Sequence, residues 1–126
     1  MTASKPAKMY KYFKLEEFDS PDEPGSGKMM EPAVIEALEN ARDLAGFPFV
    51  VTSGVRTIAH NRAVGGSPKS SHLLGLAVDL RVDNSQRRYL MVEALLDAGF
   101  NRIGVAENFI HADMDENKTP NVLWTY

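Results

Sequence analysis

Cysteine is absent from the 126-residue sequence, and histidine occurs only 3 times. Disulfide bonds and thiolate ligands are therefore excluded, so any metal would be held by histidine, aspartate, glutamate or backbone oxygen. No apolar run approaches the ~18 residues that a membrane-spanning helix needs, and the opening residues MTASKPAKMYKYF lack the apolar core of a secretory signal. We expect a chain that is cytoplasmic as synthesised, without a membrane span.

The sequence also lacks a large excess of charge of either sign. Its 14 Lys and Arg residues and 17 Asp and Glu residues give a net charge of −3, and the two signs are mixed along the chain. No polybasic surface is predicted, so we expect no nucleic-acid partner. The length suits a single hydrophobic core. We expect residues 1–11 to form a flexible N-terminal tail and residues 12–126 to form one domain, which we expect to be monomeric.

The spacing of apolar residues predicts an α+β fold. One amphipathic helix is predicted from Pro32 to the glycine at position 46, and a second from Ser85, as its capping residue, to about Ala98. A short helix is predicted near His60. Runs rich in β-branched and aromatic residues predict short strands at 47–53, 74–82, 101–105, 109–114 and 121–126. The mixed order of these elements favours a small, mainly antiparallel sheet with two main helices.

Two short segments combine histidine with aspartate. In SHLLGLAVDL (71–80), His72 precedes Asp79, which lies on the polar face of the predicted strand. In FIHADM (109–114), strand alternation places His111 and Asp113 on one face. Two imidazoles and a carboxylate, with a fourth position left for water, are typical ligands of a catalytic zinc ion. His72, Asp79 and His111 supply that set if the strands are neighbours, but their spacing alone favours ordinary structural roles.

Three longer segments, SGVRT (53–57), HNRAVGGSPKSSHLLGLAVDL (60–80) and RIGVAENFIHAD (102–113), form a more specific pattern. In order and spacing they resemble the zinc D-alanyl-D-alanine carboxypeptidase family of peptidoglycan peptidases. Relatives of that family include phage endolysins, the vancomycin-resistance dipeptidases and the Hedgehog domain. The resemblance covers residues 12–126 and implies a fold of the Hedgehog and D-Ala-D-Ala peptidase type. It also implies one Zn²⁺ per chain, bound by His72, Asp79 and His111.

The same resemblance implies an activity and a substrate. It implies a zinc metallopeptidase that hydrolyses a peptide bond in peptidoglycan stem peptides, as a D-Ala-D-Ala carboxypeptidase or an endolysin-type endopeptidase. A phage-encoded enzyme of this kind would be released to the cell wall or carried by the virion. Arg56 matches a family arginine that holds the substrate carboxylate, although an internal ion pair is the alternative. Ser70 matches a family serine that would contact substrate or cap the loop, and His60 is expected to be structural.

The general base is less well defined by the sequence. Three positions before His111, relatives often carry an acidic residue or a histidine, but this chain carries Asn108. Asp113 and Glu107 are the two candidates for the general base. Asp113 would otherwise orient an imidazole, and Glu107 would otherwise be a plain exposed side chain. The missing acid also favours an alternative function, that of a non-catalytic zinc-containing module that binds the cell wall or has a structural role.

The remaining acidic and aromatic residues near these segments are given ordinary roles. Asp115 and Glu116 are expected to lie on a solvated surface. Phe109 and Trp124 are expected in the core or in a pocket wall.

Overall fold

The computed structural model describes residues 9–126. The predicted flexible tail falls mostly on residues 1–8, which lie outside the described residues, so that expectation stays a prediction. Within the described part the helices are α1 (Pro32–Ala45), α2 (Ile58–Ala63) and α3 (Ser85–Asp97). The strands are β1 (Val51–Ser53), β2 (Ala77–Arg81), β3 (Arg102–Val105), β4 (Phe109–Asp113) and β5 (Val122–Thr125).

The five strands form one sheet in the order β1-β2-β4-β3-β5. Its pairs are antiparallel except for β3 with β5, which run parallel. The prediction of an α+β fold with a small, mainly antiparallel sheet is therefore confirmed. The central strands β2 and β4 place both of the predicted His/Asp segments side by side.

One face of the sheet packs against α1 and α3 to form the core. The buried side chains of this core come from β2, β3 and β4 on one side and from the two helices on the other, namely Val78, Leu80, Ile103, Ile110, Ala112, Val34, Ile35, Leu38, Met91 and Leu95. Because side chains alternate along a strand, Asp79 and His111 point to the opposite face. The core thus fixes which face carries the polar residues.

Helix α1 has the boundaries that its sequence predicts. Pro32 occupies the first helical position, where the missing N–H costs nothing. Gly46 ends the helix at φ 80°, a left-handed conformation that favours glycine, and its N–H donates to the carbonyl of Arg42. Leu44 shares the apolar spacing but stays 60% exposed, at the outer edge of the helix. No helix in residues 9–126 is both long and apolar enough to cross a membrane.

Helix α3 begins one residue earlier than its predicted cap implies. The prediction that Ser85 caps it is wrong, because Asn84 is the capping residue and its side-chain oxygen accepts the N–H of Arg87 at 2.8 Å. Asn84 is extended, at φ −160°, so its short side chain can turn back toward the first turn. Ser85 is then the first helical residue, and its hydroxyl accepts a hydrogen bond from Arg88 instead.

All five strands are shorter than predicted, and two of them clearly so. The run 47–53 forms a strand only over Val51–Ser53, and the run 74–82 only over Ala77–Arg81. Residues Ser71–Leu74 instead form a turn of 3-10 helix, which Gly75 ends at φ 69°. This turn, not the strand, carries His72.

We predict that Gly75→Ala strongly destabilises the protein. A Cβ at this position would lie 2.4 Å from the carbonyl oxygen of Met29, in a backbone conformation that alanine disfavours. The left-handed conformation costs about 1–2 kcal/mol and the overpacking about 1–3 kcal/mol, so we expect a loss of about 2–5 kcal/mol in the free energy of unfolding, measured with urea.

Gly65→Ala is the matched control for this substitution. Gly65 has a similar φ of 73°, but a Cβ there would meet nothing within 4 Å. It should lose only the conformational part, about 1–2 kcal/mol. Equal losses for the two variants would contradict the role given to the contact with Met29.

Candidate metal centre

The site is built on a row of residues that crosses the sheet. Asp79 on β2 lies directly opposite His111 on β4, and His111 lies opposite Gly104 on β3. Gly104 in turn lies opposite Trp124 on β5, and Asp79 lies opposite Ser53 on β1. The antiparallel register therefore brings together an aspartate and a histidine that are 32 positions apart in the chain.

His72 reaches the same place from the 3-10 turn before β2. Its backbone N–H donates to the hydroxyl of Ser70 at 3.3 Å, and its carbonyl accepts the N–H of Arg56 at 3.0 Å. The imidazole is 2% exposed, and its Nδ1 lies 2.7 Å from the carbonyl oxygen of Gly54. This carbonyl is an acceptor, so Nδ1 is the protonated nitrogen that donates to it.

The three predicted ligands meet at one point. Nε2 of His72 lies 3.2 Å and Nδ1 of His111 lies 3.0 Å from the same carboxylate oxygen, Oδ1 of Asp79. One donor atom from each of the three residues lies within 4.8 Å of the other two. Two imidazole nitrogens and one carboxylate oxygen at this separation are suited to a tetrahedral Zn²⁺ with an open fourth position.

The outward-facing nitrogen of His111 also has a partner. Nε2 lies 2.7 Å from Oδ2 of Asp113, whose Oδ1 accepts a hydrogen bond from Nε of Arg102 at 2.9 Å. A carboxylate accepts, so Nε2 donates to Asp113, and the inward Nδ1 is the nitrogen that a metal ion would take in place of a proton. His72 and His111 thus both have their outer nitrogen held as a donor, which is the arrangement that outer partners create around metal-binding histidines. The residues present fit a bound divalent cation.

The pKa values of these groups follow from the same contacts. Burial raises the pKa of Asp79, but hydrogen bonds and charges of His111 and His72 outweigh it and hold that pKa well below its ordinary value. Burial lowers the pKa of His111, but its contacts with Asp113 and Asp79 outweigh this effect and raise it. Without a metal ion the centre therefore favours an ionised aspartate beside a histidine that holds its proton.

An open pocket of about 440 Å³ adjoins the centre on the β1 side. Asp79 forms part of its wall, together with Arg56, Arg81 and His60. Asn108 and Phe109 close the side formed by the turn between β3 and β4. The pocket therefore presents several hydrogen-bond donors and positive charge next to the three candidate ligands.

Arg56 is held rigidly within this pocket. Its Nε donates to the hydroxyl of Ser53 at 3.0 Å, and its Nη1 donates to the side-chain oxygen of Asn61 at 3.3 Å. Its Nη2 lies 3.3 Å from Oδ2 of Asp79, the carboxylate oxygen that does not contact the histidines. The internal ion pair considered as an alternative for Arg56 is therefore present, and the same side chain also lines the pocket.

The other predicted site residues lie at different distances from the centre. Ser70 caps the 3-10 turn and also lines a second, smaller pocket beside Leu73. Asp113 is 1% exposed and contacts His111 directly. Glu107 is exposed in the turn between β3 and β4, where its carbonyl accepts a hydrogen bond from Arg88. His60 lies in α2, as predicted, and its N–H is bound by the side chain of Thr57.

Aromatic rings border the centre on the β5 side. The rings of His111 and Trp124 have centroids 5.5 Å apart, and those of Phe109 and Tyr126 have centroids 5.0 Å apart. A Cβ on Gly104 would lie 2.6 Å from the indole of Trp124, so only glycine leaves room for the indole to reach His111. Phe109 lines the pocket, as predicted.

The structure also contains buried polar residues near the centre that sequence reasoning missed. The expectation that Asp115 lies on a solvated surface is wrong, because it is 3% exposed and accepts a hydrogen bond from Ser71 at 2.7 Å. Arg102 neutralises Asp113, and no local sequence signal identified it. Alternation continued past Asp113 would have placed Asp115 on the same face, the one signal available for it.

Comparison with known proteins agrees with this site. Residues 11–113 match the family Peptidase M15, and the match includes all three candidate ligands. The chain belongs to the peptidase M15 family, which confirms the resemblance drawn from its motifs. Membership implies a zinc peptidase. Among curated proteins no sequence matches the chain.

We predict that Asp113→Asn lowers the pKa of His111 in the metal-free protein. The raised pKa depends on the Asp113 carboxylate, so its loss should move the titration of the imidazole toward more acidic pH. Ring-proton NMR across pH 5–9 would measure this titration.

The same proton affects stability. The pKa of His111 is higher in the folded protein than its ordinary value of 6.5, so protonation of His111 stabilises the fold. This stabilisation is complete below pH 6.5 and is lost as pH rises through the raised pKa. Asp97→Asn, at an exposed position in α3, is the matched control and should leave the His111 titration unchanged. An unchanged titration midpoint of His111 in Asp113→Asn would contradict the effect that we assign to the contact between Asp113 and His111.

Proposed function

We propose that this protein is a zinc-dependent metallopeptidase that hydrolyses a peptide bond in peptidoglycan stem peptides. The observation that carries the proposal is the convergence of His72, Asp79 and His111, with both outer imidazole nitrogens donating to fixed acceptors. Membership of the M15 family supports the zinc and the peptidase chemistry. The substrate class rests on the resemblance of the motifs to peptidoglycan peptidases.

The residues of the site would have three separate roles, in metal binding, in positioning the imidazoles and in substrate binding. His72, Asp79 and His111 would hold the ion, and Asp113 and the carbonyl of Gly54 would keep the two imidazoles in position. When bound, zinc supplies an acidified water and polarises the carbonyl of the bond to be cut. Arg56 would bind a substrate carboxylate from the pocket next to Asp79, which would place the adjacent peptide bond near the candidate ligands.

We assign the two candidate bases different roles within the proposed mechanism. Both carboxylate oxygens of Asp113 are engaged, one by His111 and one by Arg102 and the N–H of Asp115, so its proposed role is to orient His111. Glu107 is solvent-exposed, and its neighbour Asn108 lines the pocket. Glu107 is therefore proposed to take the proton from the attacking water and return it to the leaving amine.

We predict that His72→Ala abolishes both zinc binding and hydrolysis. The wild type should hold about one zinc per chain by elemental analysis and release fragments from purified peptidoglycan, whose masses identify the cleaved bond. His60→Ala should keep its zinc, because His60 lies outside the ligand set. Wild-type protein that binds zinc but releases no fragment at any pH would contradict the proposed activity.

We predict that Arg56→Lys weakens catalysis only on substrates with a free carboxylate. Losing one charge-assisted hydrogen bond costs about 1.5–3 kcal/mol, so kcat/KM should fall about 10- to 100-fold on such peptides. On the corresponding peptide amides the variant should match the wild type. Arg62→Lys, on the exposed side of α2, is the matched control. An equal loss on acids and amides would instead mean that Arg56 acts through Asp79.

We predict that Glu107→Gln lowers kcat while leaving zinc in place. Removing a general base typically costs about 10²–10⁴-fold in rate. Glu116→Gln, at another exposed acidic position, is the matched control and should keep its activity. Full activity in Glu107→Gln would overturn the role proposed for Glu107.

A second candidate function is a non-catalytic zinc-containing module that binds the cell wall. The observation that favours it is Asn108, which lines the pocket where relatives often carry an acidic residue or a histidine. Sedimentation of the zinc-loaded protein with peptidoglycan would test it. Tight binding without released fragments would support the module, whereas fragment release would support the peptidase.

A further inference from the structure

A polar cluster lies beside the metal centre, formed by the buried residues Ser71 and Asp115 and the partly exposed Lys118. The Ser71 hydroxyl donates to Oδ2 of Asp115 at 2.7 Å and accepts a hydrogen bond from Nζ of Lys118 at 2.9 Å. Ser71 is 2% exposed and Asp115 3% exposed, and the Lys118 ammonium lies 3.8 Å from the same carboxylate oxygen. The hydrogen bond between Ser71 and Asp115 joins positions 44 apart in the chain.

The cluster connects the two segments that supply the histidine ligands. Ser71 directly precedes His72 in the 3-10 turn, and Asp115 follows β4, which carries His111. The N–H of Asp115 donates to Oδ1 of Asp113 at 3.0 Å, and the other oxygen of Asp113 binds His111. A continuous set of hydrogen bonds therefore runs from the residue before His72 to the imidazole of His111.

This connection does not pass through Asp79. The contacts of Asp79 join the two histidines on the side where a metal ion would lie, and these contacts would be replaced by bonds to the ion. The bond between Ser71 and Asp115 involves none of the candidate ligand atoms, so binding of an ion would leave it in place. It can therefore keep the two histidines at the same separation in both states.

We propose that Ser71 and Asp115 are positioning residues for the metal centre, which hold the His72 turn against the His111 strand and thereby set the zinc affinity. The inference rests on the metal site of the proposed function. Neither side chain is a candidate ligand, because the set that converges consists of His72, Asp79 and His111. The charge of Lys118 compensates the buried carboxylate of Asp115, which keeps it ionised as an acceptor for Ser71.

The test is the zinc dissociation constant of folded variants, measured by competition with a chromophoric chelator. Loss of an outer partner of a metal site typically weakens affinity about 10- to 100-fold, and we expect an effect of this size in Ser71→Ala and Asp115→Ala. Asp115→Asn keeps an oxygen that can accept from Ser71, so it should recover part of the affinity. The Co²⁺ spectrum of each variant reports the ligand geometry directly and should change in the same order.

Ile35→Val is the matched control, because it trims a fully buried side chain in α1 without touching a polar contact. It should lower stability while leaving the zinc dissociation constant and the Co²⁺ spectrum unchanged. Wild-type affinity and spectrum in both Ser71→Ala and Asp115→Ala would overturn this inference alone. A wild type without measurable zinc affinity would overturn the proposed function, and this inference with it.

Discussion

The pairing of Asp79 with His111 across β2 and β4 is the constraint on which the site depends. The two residues face each other because the antiparallel register is fixed, and the register is fixed because Val78, Leu80, Ile110 and Ala112 must reach the core on the opposite face. A slip of one residue would turn Asp79 into the core and expose an apolar side chain. Packing of the core on the helical face of the sheet therefore also positions Asp79 and His111 on the other face.

Burial of Asp79 requires compensation, and the surrounding residues supply it from several directions. His72 and His111 contact one carboxylate oxygen, while Arg56 contacts the other. A divalent cation bound by the imidazoles and the carboxylate would neutralise the charge of Asp79 at the oxygen that the histidines contact. Arg56 also has hydrogen bonds to Ser53 and Asn61, which hold it in the pocket in addition to its contact with Asp79.

Most of the secondary structure followed from the spacing of apolar residues, which is a local signal. The convergence of His72, Asp79 and His111 was expected only from the resemblance of the quoted motifs to a peptidase family. What could not be predicted depends on contacts between distant segments. The cap of α3 was decided between two adjacent residues that are both good caps, Asn84 and Ser85. The burial of Asp115 depends on Ser71, and the neutralisation of Asp113 depends on Arg102, which pairs with it only once β3 and β4 are in register.

The sheet order also makes the two sides of the site chemically different. Arg56 follows the edge strand β1, whereas Trp124 lies on the opposite edge strand β5, which pairs in parallel with β3. Gly104 removes the side chain that would otherwise separate β5 from His111. Any ligand lying across the centre would therefore meet charge and hydrogen-bond donors on one side and aromatic rings on the other. Hydrogen bonds to Ser53 and Asn61 fix Arg56 on one side, and strand β5 holds Trp124 on the other, so this difference is set by the fold itself.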